Sequence, residues 1–280
     1  MNKVTLFIII FCVLPLHTTL TKPTLNVIPA KENSKKVIIF DLGDVVFKSS
    51  KAKQAYPLIS TILAHPSIIF TMMTFDIRYE LFALLSNILP DGSDAQVMYN
   101  QGHKLPQIWI DWMIGKQTAR YIETEALSYL TKTDMDTNKK RVLRKVVQTV
   151  FNPKKLTAAQ KPIKPIVKLI KQLKENGYKL YVLSNWDKES FPLMLQKHDK
   201  VFKLFNGIMI SGEAGIGKPN PHFYTTLLQK YHLDPHECIF IDDEPKNVET
   251  AQNLGITAIL NKSIIETYEE LYKLGVLSLS

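Results

Sequence analysis

Short apolar runs that stop abruptly on polar residues recur along the chain. Val37-Ile38-Ile39-Phe40 stops at Asp41, Leu180 to Leu183 stops at Ser184, and Cys238 to Ile241 stops at Asp242. Further runs lie at Ile208 to Ile210 and Ala258 to Leu260. Consecutive apolar residues without alternation describe strands buried on both faces, the habit of a parallel sheet. Between these runs the period changes. Ile166, Leu169, Ile170 and Leu173 repeat at helical spacing and end before Gly177, a residue suited to the left-handed turn that closes a helix. Phe223, Leu227, Leu228 and Tyr231 repeat likewise behind Asn220-Pro221, a capping side chain followed by a first-turn proline. From Lys164 onward the alternation predicts βα units and hence an α/β protein with a Rossmann-like, doubly wound parallel sheet.

Residues 48–162 break this alternation. Pro90-Asp91-Gly92 followed by Ser93-Asp94-Ala95-Gln96 predicts a turn and a capping box, and Leu143, Val146, Val147 and Val150 form an apolar helical stripe. The stretch reads as a helical cap subdomain inserted into a sheet domain made of residues 37–47 and 163–280. At the N terminus, Lys3 precedes a mostly apolar stretch from Val4 to Leu16 and then polar His17-Thr18-Thr19. That is the layout of a signal peptide over residues 1–20, too short to span the roughly 30 Å hydrocarbon core of a bilayer. The expectation is export to a periplasmic or extracellular space if the leader functions, and a cytoplasmic protein otherwise. Residues 21–36 read as a linker. No stable membrane span is expected beyond an uncleaved leader.

Composition adds exclusions. With 45% hydrophobic and 22% charged residues over 280 positions, the chain is neither disordered, collagen-like nor a rod. The 35 Lys and Arg against 26 Asp and Glu give a net charge of +9, which suits anionic partners without choosing among them. Of the two cysteines, Cys12 falls in the leader and Cys238 in a predicted strand, so a disulfide framework is excluded.

Strand ends in an open parallel sheet gather on one rim, where ligands bind. Here Asp41-Leu42-Gly43-Asp44, Ser184-Asn185 and Asp242-Asp243 are expected to meet there with the loop Gly217-Lys218-Pro219. Helix capping explains an isolated aspartate after a strand. It predicts nothing about Lys218 or about the ordered set.

That set resembles the four motifs of the haloacid dehalogenase-like hydrolase superfamily, in its subgroup with a helical cap after the first strand. The motifs are Ile38-Ile39-Phe40-Asp41-Leu42-Gly43, Val182-Leu183-Ser184-Asn185, Gly217-Lys218-Pro219, and Ile241-Asp242-Asp243 followed by Asn247; the resemblance runs from Val37 to Leu260. It implies a Mg²⁺-dependent phosphatase in which Asp41 attacks phosphorus and forms an aspartyl-phosphate that water hydrolyses. A Mg²⁺ on hard oxygen ligands brings the two anions together. Asp41, the carbonyl of Gly43 and Asp243 match the family's direct ligands, with Asp242 and Asn247 supporting them, although the two aspartates could exchange roles. Ser184 would donate to a phosphoryl oxygen with Asn185 beside it on the substrate side, and Lys218 would neutralise nucleophile and phosphate. The expected substrate is a small phosphorylated metabolite, sugar phosphates included, and no nucleic acid.

One position departs from the family pattern. Gly43 stands where these phosphatases usually carry an acid/base aspartate, whose loss typically costs on the order of 10²–10⁴ in rate. Asp44 follows, but strand alternation should turn it away from Asp41 unless the chain turns there. The same gap is shared by relatives acting on sugar phosphates and by 2-haloacid dehalogenases. The alternatives are therefore a dehalogenase-type hydrolase or a catalytically silent binding protein of the same fold. The first arginine after Asp41 is Arg78, too far along the chain to favour the dehalogenase. A zinc site at His232, His236 and Cys238 is set aside because Pro235 interrupts any shared helical face. Lys139-Lys140-Arg141, Arg144-Lys145 and Lys154-Lys155 read as a solvated helix face. Trp109, Trp112 and Tyr79 read as cap core in preference to pocket lining, and Asn261-Lys262-Ser263 fits a glycosylation acceptor.

Overall fold

The five apolar runs become five strands of one parallel sheet. The computed structural model describes residues 25–29, 37–74, 76–88 and 96–279. Strand β1 (Leu25–Val27) precedes β2 (Val37–Phe40) and β3 (Phe47–Ser49). Helices α1 (Lys51–Ala64), α2 (Ile68–Met73) and α3 (Ile77–Ser86) come next, then β4 (Tyr99–Asn100) and β5 (His103–Lys104). Helices α4 (Gln107–Met113), α5 (Ala119–Lys132), α6 (Thr137–Val150) and α7 (Pro153–Ala159) lead to β6 (Gln160–Pro162). The chain then alternates through α8 (Lys164–Glu175), β7 (Lys179–Ser184), α9 (Phe191–Lys197), α10 (Asp199–Phe202) and β8 (Gly207–Ile210). It closes with α11 (Ser211–Ala214), α12 (Pro221–Tyr231), β9 (Cys238–Asp242), α13 (Pro245–Asn253), β10 (Thr257–Leu260), α14 (Ile264–Lys273) and β11 (Leu277–Leu279).

The sheet order is β10-β9-β2-β7-β8, with every pair parallel. Strand β2 is central, and its two faces enter different cores. Ile38 and Phe40 pack with Ile166 and Leu169 of α8, while Val37 and Ile39 pack with Phe223 and Leu227 of α12. Helices cover both faces, so the sequence shows runs and no alternation. The strand order reverses between β2 and β9, the place where such a sheet opens a crevice beyond its carboxyl ends. The predicted caps are in place: Asn220 accepts from His222 N at 3.0 Å, and Gly177 takes φ +86° behind α8.

The helices of residues 51–159 carry a core of their own, in which Ile108, Trp112, Ile122, Leu143, Val147 and Phe151 are buried. Trp109 packs edge-on against Trp112 and Phe151 and also reaches a cavity described below. Tyr79 does not join them; it is 71% exposed, on the outer side of α3. Strands β3 and β6 pair antiparallel, Phe47 opposite Pro162, so the chain leaves and re-enters the sheet domain at adjacent points. Part of the stretch read as a linker is ordered structure: Leu25–Val27 pairs antiparallel with β11, and Val27 is buried. A three-residue strand is too short to show a period. The leader over residues 1–20 and Ser93 to Ala95 of the expected capping box lie outside the described residues. Among the described residues no helix is long and apolar enough to cross a membrane.

Ile38 is fully buried in the central strand. Ile38→Ala is expected to lower the unfolding free energy by about 2–5 kcal/mol in urea titration. Leu63→Ala, at a position 77% exposed on α1, should change it by no more than about 0.5 kcal/mol.

Candidate active site

The backbone of β2 continues its ladder one residue past the strand, Asp41 N donating to Ile241 O at 2.9 Å. This sets Asp41 beside the end of β9, where Asp242 is fully buried. Lys218 comes up between them from the loop after α11. Its ammonium, 1% exposed, donates to Asp41 Oδ1 at 2.7 Å and to Asp242 Oδ2 at 2.6 Å. Burial by itself would push the Lys218 pKa down, but the two carboxylates outweigh it and hold the ammonium above its usual range.

The loop is held as firmly as its side chain. Lys218 N donates to Asn185 Oδ1 at 2.8 Å, and Asn185 Nδ2 donates back to Lys218 O at 2.9 Å. A Cβ at Gly217 would fall 2.5 Å from that same Oδ1 and 2.3 Å from Met98 Cε, so a glycine precedes the lysine. The Lys218–Pro219 peptide is cis. Asp242 Oδ1 accepts from Glu244 N at 2.8 Å and from Asn247 Nδ2 at 3.0 Å. Asp242 is therefore fully engaged inside the protein, with Asn247 behind it. Asp243 is partly buried and lines the crevice, its carboxyl pushed up to about 8 by burial and then by Asp41 and Asp242.

The turn after β2 decides where Asp44 goes. Strand alternation fails for Asp44 because β2 ends at Phe40 and the chain turns: Phe47 N and Val46 N both return to Leu42 O, and Asp44 adopts φ +52°. Asp44 consequently lines the same cavity as Asp41, its pKa raised by burial and then by the Asp41 charge. The turn is braced by Asn261, whose Nδ2 donates to Asp44 O at 3.1 Å while its Oδ1 accepts from Thr267 at 2.6 Å. The amide of the glycosylation sequence thus already serves the fold. Ser184 pairs with Ile210 at the end of β7 and is 1% exposed, and Asn185 beside it lines the cavity.

The cavity holds about 770 Å³. Asp41, Gly43, Asp44, Asn185, Lys218 and Asp243 line its floor, and side chains of the helical insertion line its upper wall. A second cavity of about 590 Å³ shares Asp44, Gln101 and Asp243, so the carboxylates are open from two sides. A residue that sequence reasoning missed ties insertion to sheet domain. Glu244 is buried and accepts from Gly102 N at 3.0 Å through Oε2. Gln101 and Gly102, at φ 51° and 76°, form the two-residue turn between β4 and β5. The acidic triplet Asp242-Asp243-Glu244 was the available signal; nothing local shows that a hairpin sixty-odd positions past Asp41 meets it.

Among the described residues no three His, Cys, Asp or Glu side chains converge closely enough to hold an ion unaided. A divalent cation at the floor would draw on Asp41, Asp243, the Gly43 carbonyl and water. That mixture of hard oxygens is what Mg²⁺ accepts. The crowding fits it too: Asp41 and Asp242 share the Lys218 ammonium, and Asp243 is pushed towards protonation by burial and then by the charges of Asp41 and Asp242.

The family model described as haloacid dehalogenase-like hydrolase matches residues 104–261, more than half of the chain, and the protein belongs to that family of hydrolases. A family enzyme of Bacteroides thetaiotaomicron, crystallised with magnesium and inorganic phosphate, superposes with a TM-score of 0.51 at 18% identity. The superposition covers 82% of this chain and 95% of that one, a likeness of fold. A sesquiterpene phosphatase of Aspergillus oryzae is 30% identical over 118 residues, 42% of this chain and 60% of that relative's length. A glyceraldehyde 3-phosphate phosphatase of Methanocaldococcus jannaschii is 24% identical over 230 residues, 80% of this chain and 83% of its own. The chain matches a smaller share, 18%, of a drimenol cyclase of Aspergillus calidoustus.

Lys218→Met would leave Asp41 and Asp242 buried without a counter-charge. The expected loss is about 3–5 kcal/mol at neutral pH, shrinking as acid protonates the carboxylates; urea titration at two pH values measures it. For the wild-type protein in chelator, stability should fall as pH rises from 3.8 towards about 8. Asp243 keeps its proton over that window in the folded state and has lost it in the unfolded state. Added Mg²⁺ should flatten the slope and raise the melting temperature.

Proposed function

We propose that the protein is a Mg²⁺-dependent phosphatase that hydrolyses a small phosphorylated molecule through an aspartyl-phosphate on Asp41. The observation that carries this reading is the clamp on Asp41. Lys218 holds Oδ1, and Oδ2 lies on the side of Gly43, whose Cβ, were there one, would approach it to 3.8 Å and meet nothing nearer. One carboxylate oxygen is fixed and the other is free to attack. When bound, Mg²⁺ supplies the positive charge that lets a phosphate approach a carboxylate. Lys218 offsets charge that accumulates on Asp41 and Asp242, and Asn185 keeps the lysine in register. The two phosphatases to which the chain is similar support the reading, as does the concentration of carboxylates, for which attack on a halogenated carbon without metal has no use. Sugar phosphates remain within this proposal, and the dehalogenase and the silent binding protein rank below it.

Gly43 offers no proton to a leaving group, so an ester of an acidic alcohol should turn over faster than an alkyl ester of the same size. The full chain should therefore hydrolyse p-nitrophenyl phosphate with Mg²⁺, lose activity in chelator, and lose it by about 10³ or more in Asp41→Asn. Metal-independent turnover, or turnover that survives Asp41→Asn, would refute the proposal. Because the space beside Asp41 Oδ2 is open, Gly43→Asp should fold normally and raise kcat on an alkyl phosphate about tenfold or more, with little gain on p-nitrophenyl phosphate.

A further inference from the structure

We propose that the substrate is the monophosphate ester of a long apolar alcohol, an inference that rests on the phosphatase reading and names its substrate class. The floor of the 770 Å³ cavity carries the charges, and the wall above is of opposite character. Met72 of α2, Ile77 and Leu81 of α3, Trp109 of α4 and Val146 and Val150 of α6 face the same space. Most belong to the fringe of the insertion's core, where they are only partly buried by the protein itself. An apolar surface held open over a charged floor is the complement of an amphiphile with a phosphate head.

The polar side chains on this wall point to the same conclusion. Arg78 donates to Gln101 Oε1 at 3.0 Å and lies 3.2 Å from His103 Nε2. Thr149 donates to the carbonyl of Lys145 one turn earlier at 2.7 Å, and Gln160 donates to Ser49 Oγ at 2.9 Å. Arg78, Thr149 and Gln160 each already commit a donor within the protein, and against the apolar residues of the wall a sugar ring would lose its hydration without replacement. Lys145, partly exposed, presents a long aliphatic stem along with its charge. The volume sits within the roughly 300–1,000 Å³ of pockets that enclose most of a small ligand. A two- or three-carbon phosphate would leave most of it unfilled.

The test compares kcat/KM of the full chain, with Mg²⁺, for butyl, hexyl, octyl and decyl monophosphate below their micellar concentrations. Glycerol 3-phosphate and glucose 6-phosphate serve as polar controls, with p-nitrophenyl phosphate as the reference. Each methylene buried from water is worth about fourfold at most, so at least about tenfold is expected from butyl to decyl. Val146→Glu should lower kcat/KM for decyl phosphate about tenfold more than it lowers that for p-nitrophenyl phosphate. Val146→Phe, which fills the wall without a charge, should lower the decyl rate more than the butyl rate. A flat chain-length series, or preference for either polar control, would overturn the substrate class and leave the phosphatase standing. Failure to hydrolyse any ester, p-nitrophenyl phosphate included, would overturn both.

Discussion

One ammonium sets the geometry of this site. Placing Lys218 and two aspartates where water barely reaches costs several kcal/mol per ion before any attraction is counted. The structure offsets that cost with near-ideal contacts at 2.6 and 2.7 Å and by satisfying the remaining acceptors of Asp242 from Glu244 N and Asn247. Each of these requirements falls on a different part of the chain. Strands β2 and β9 must lie side by side, the loop after α11 must reach over them, and Asn185 at the end of β7 must hold that loop. The parallel sheet exists for many reasons, but its carboxyl rim is arranged around this triad.

A division of labour follows from the topology. The sheet domain supplies the charged floor, made by residues that leave the ends of its strands. The insertion supplies the surroundings, because its two ends are pinned together by β3 and β6 and its body lies over the rim. Contacts at several places join the two. Glu244 takes the β4–β5 turn, Glu189 accepts from Trp112 Nε1 and Ala119 N, and Ser211 donates to Met113 O. In the proposed function, the floor sets which bond is attacked and the wall which molecule is admitted.

The sheet was legible because its strands are covered on both faces, which turns each into an uninterrupted apolar run such as Val37 to Phe40 or Cys238 to Ile241. Asp41, Asn185 and Asp243 were legible for a related reason, since they sit at the ends of those runs, whereas Lys218, in the loop after α11, was legible only through the ordered set of motifs. What escaped depends on geometry that sequence neighbours do not encode. Asp44 reaches the cavity through a turn closed by Leu42 O. Leu25–Val27 finds its partner at the other end of the chain. Glu244 and Gly102 meet across 142 positions through a hairpin tip with no apolar pattern. Tyr79 shows the opposite error, an aromatic residue assigned to a core that α3 turns away from.

The central claim is that Asp41, held by Lys218 through one oxygen, attacks phosphorus with the other. The direct measurement is rapid acid quenching of the full chain during turnover of p-nitrophenyl phosphate, followed by peptide mass analysis. The account predicts a transient phosphoryl adduct on the peptide bearing Asp41, absent from Asp41→Asn. Turnover with no adduct, or an adduct on any other residue, would contradict it.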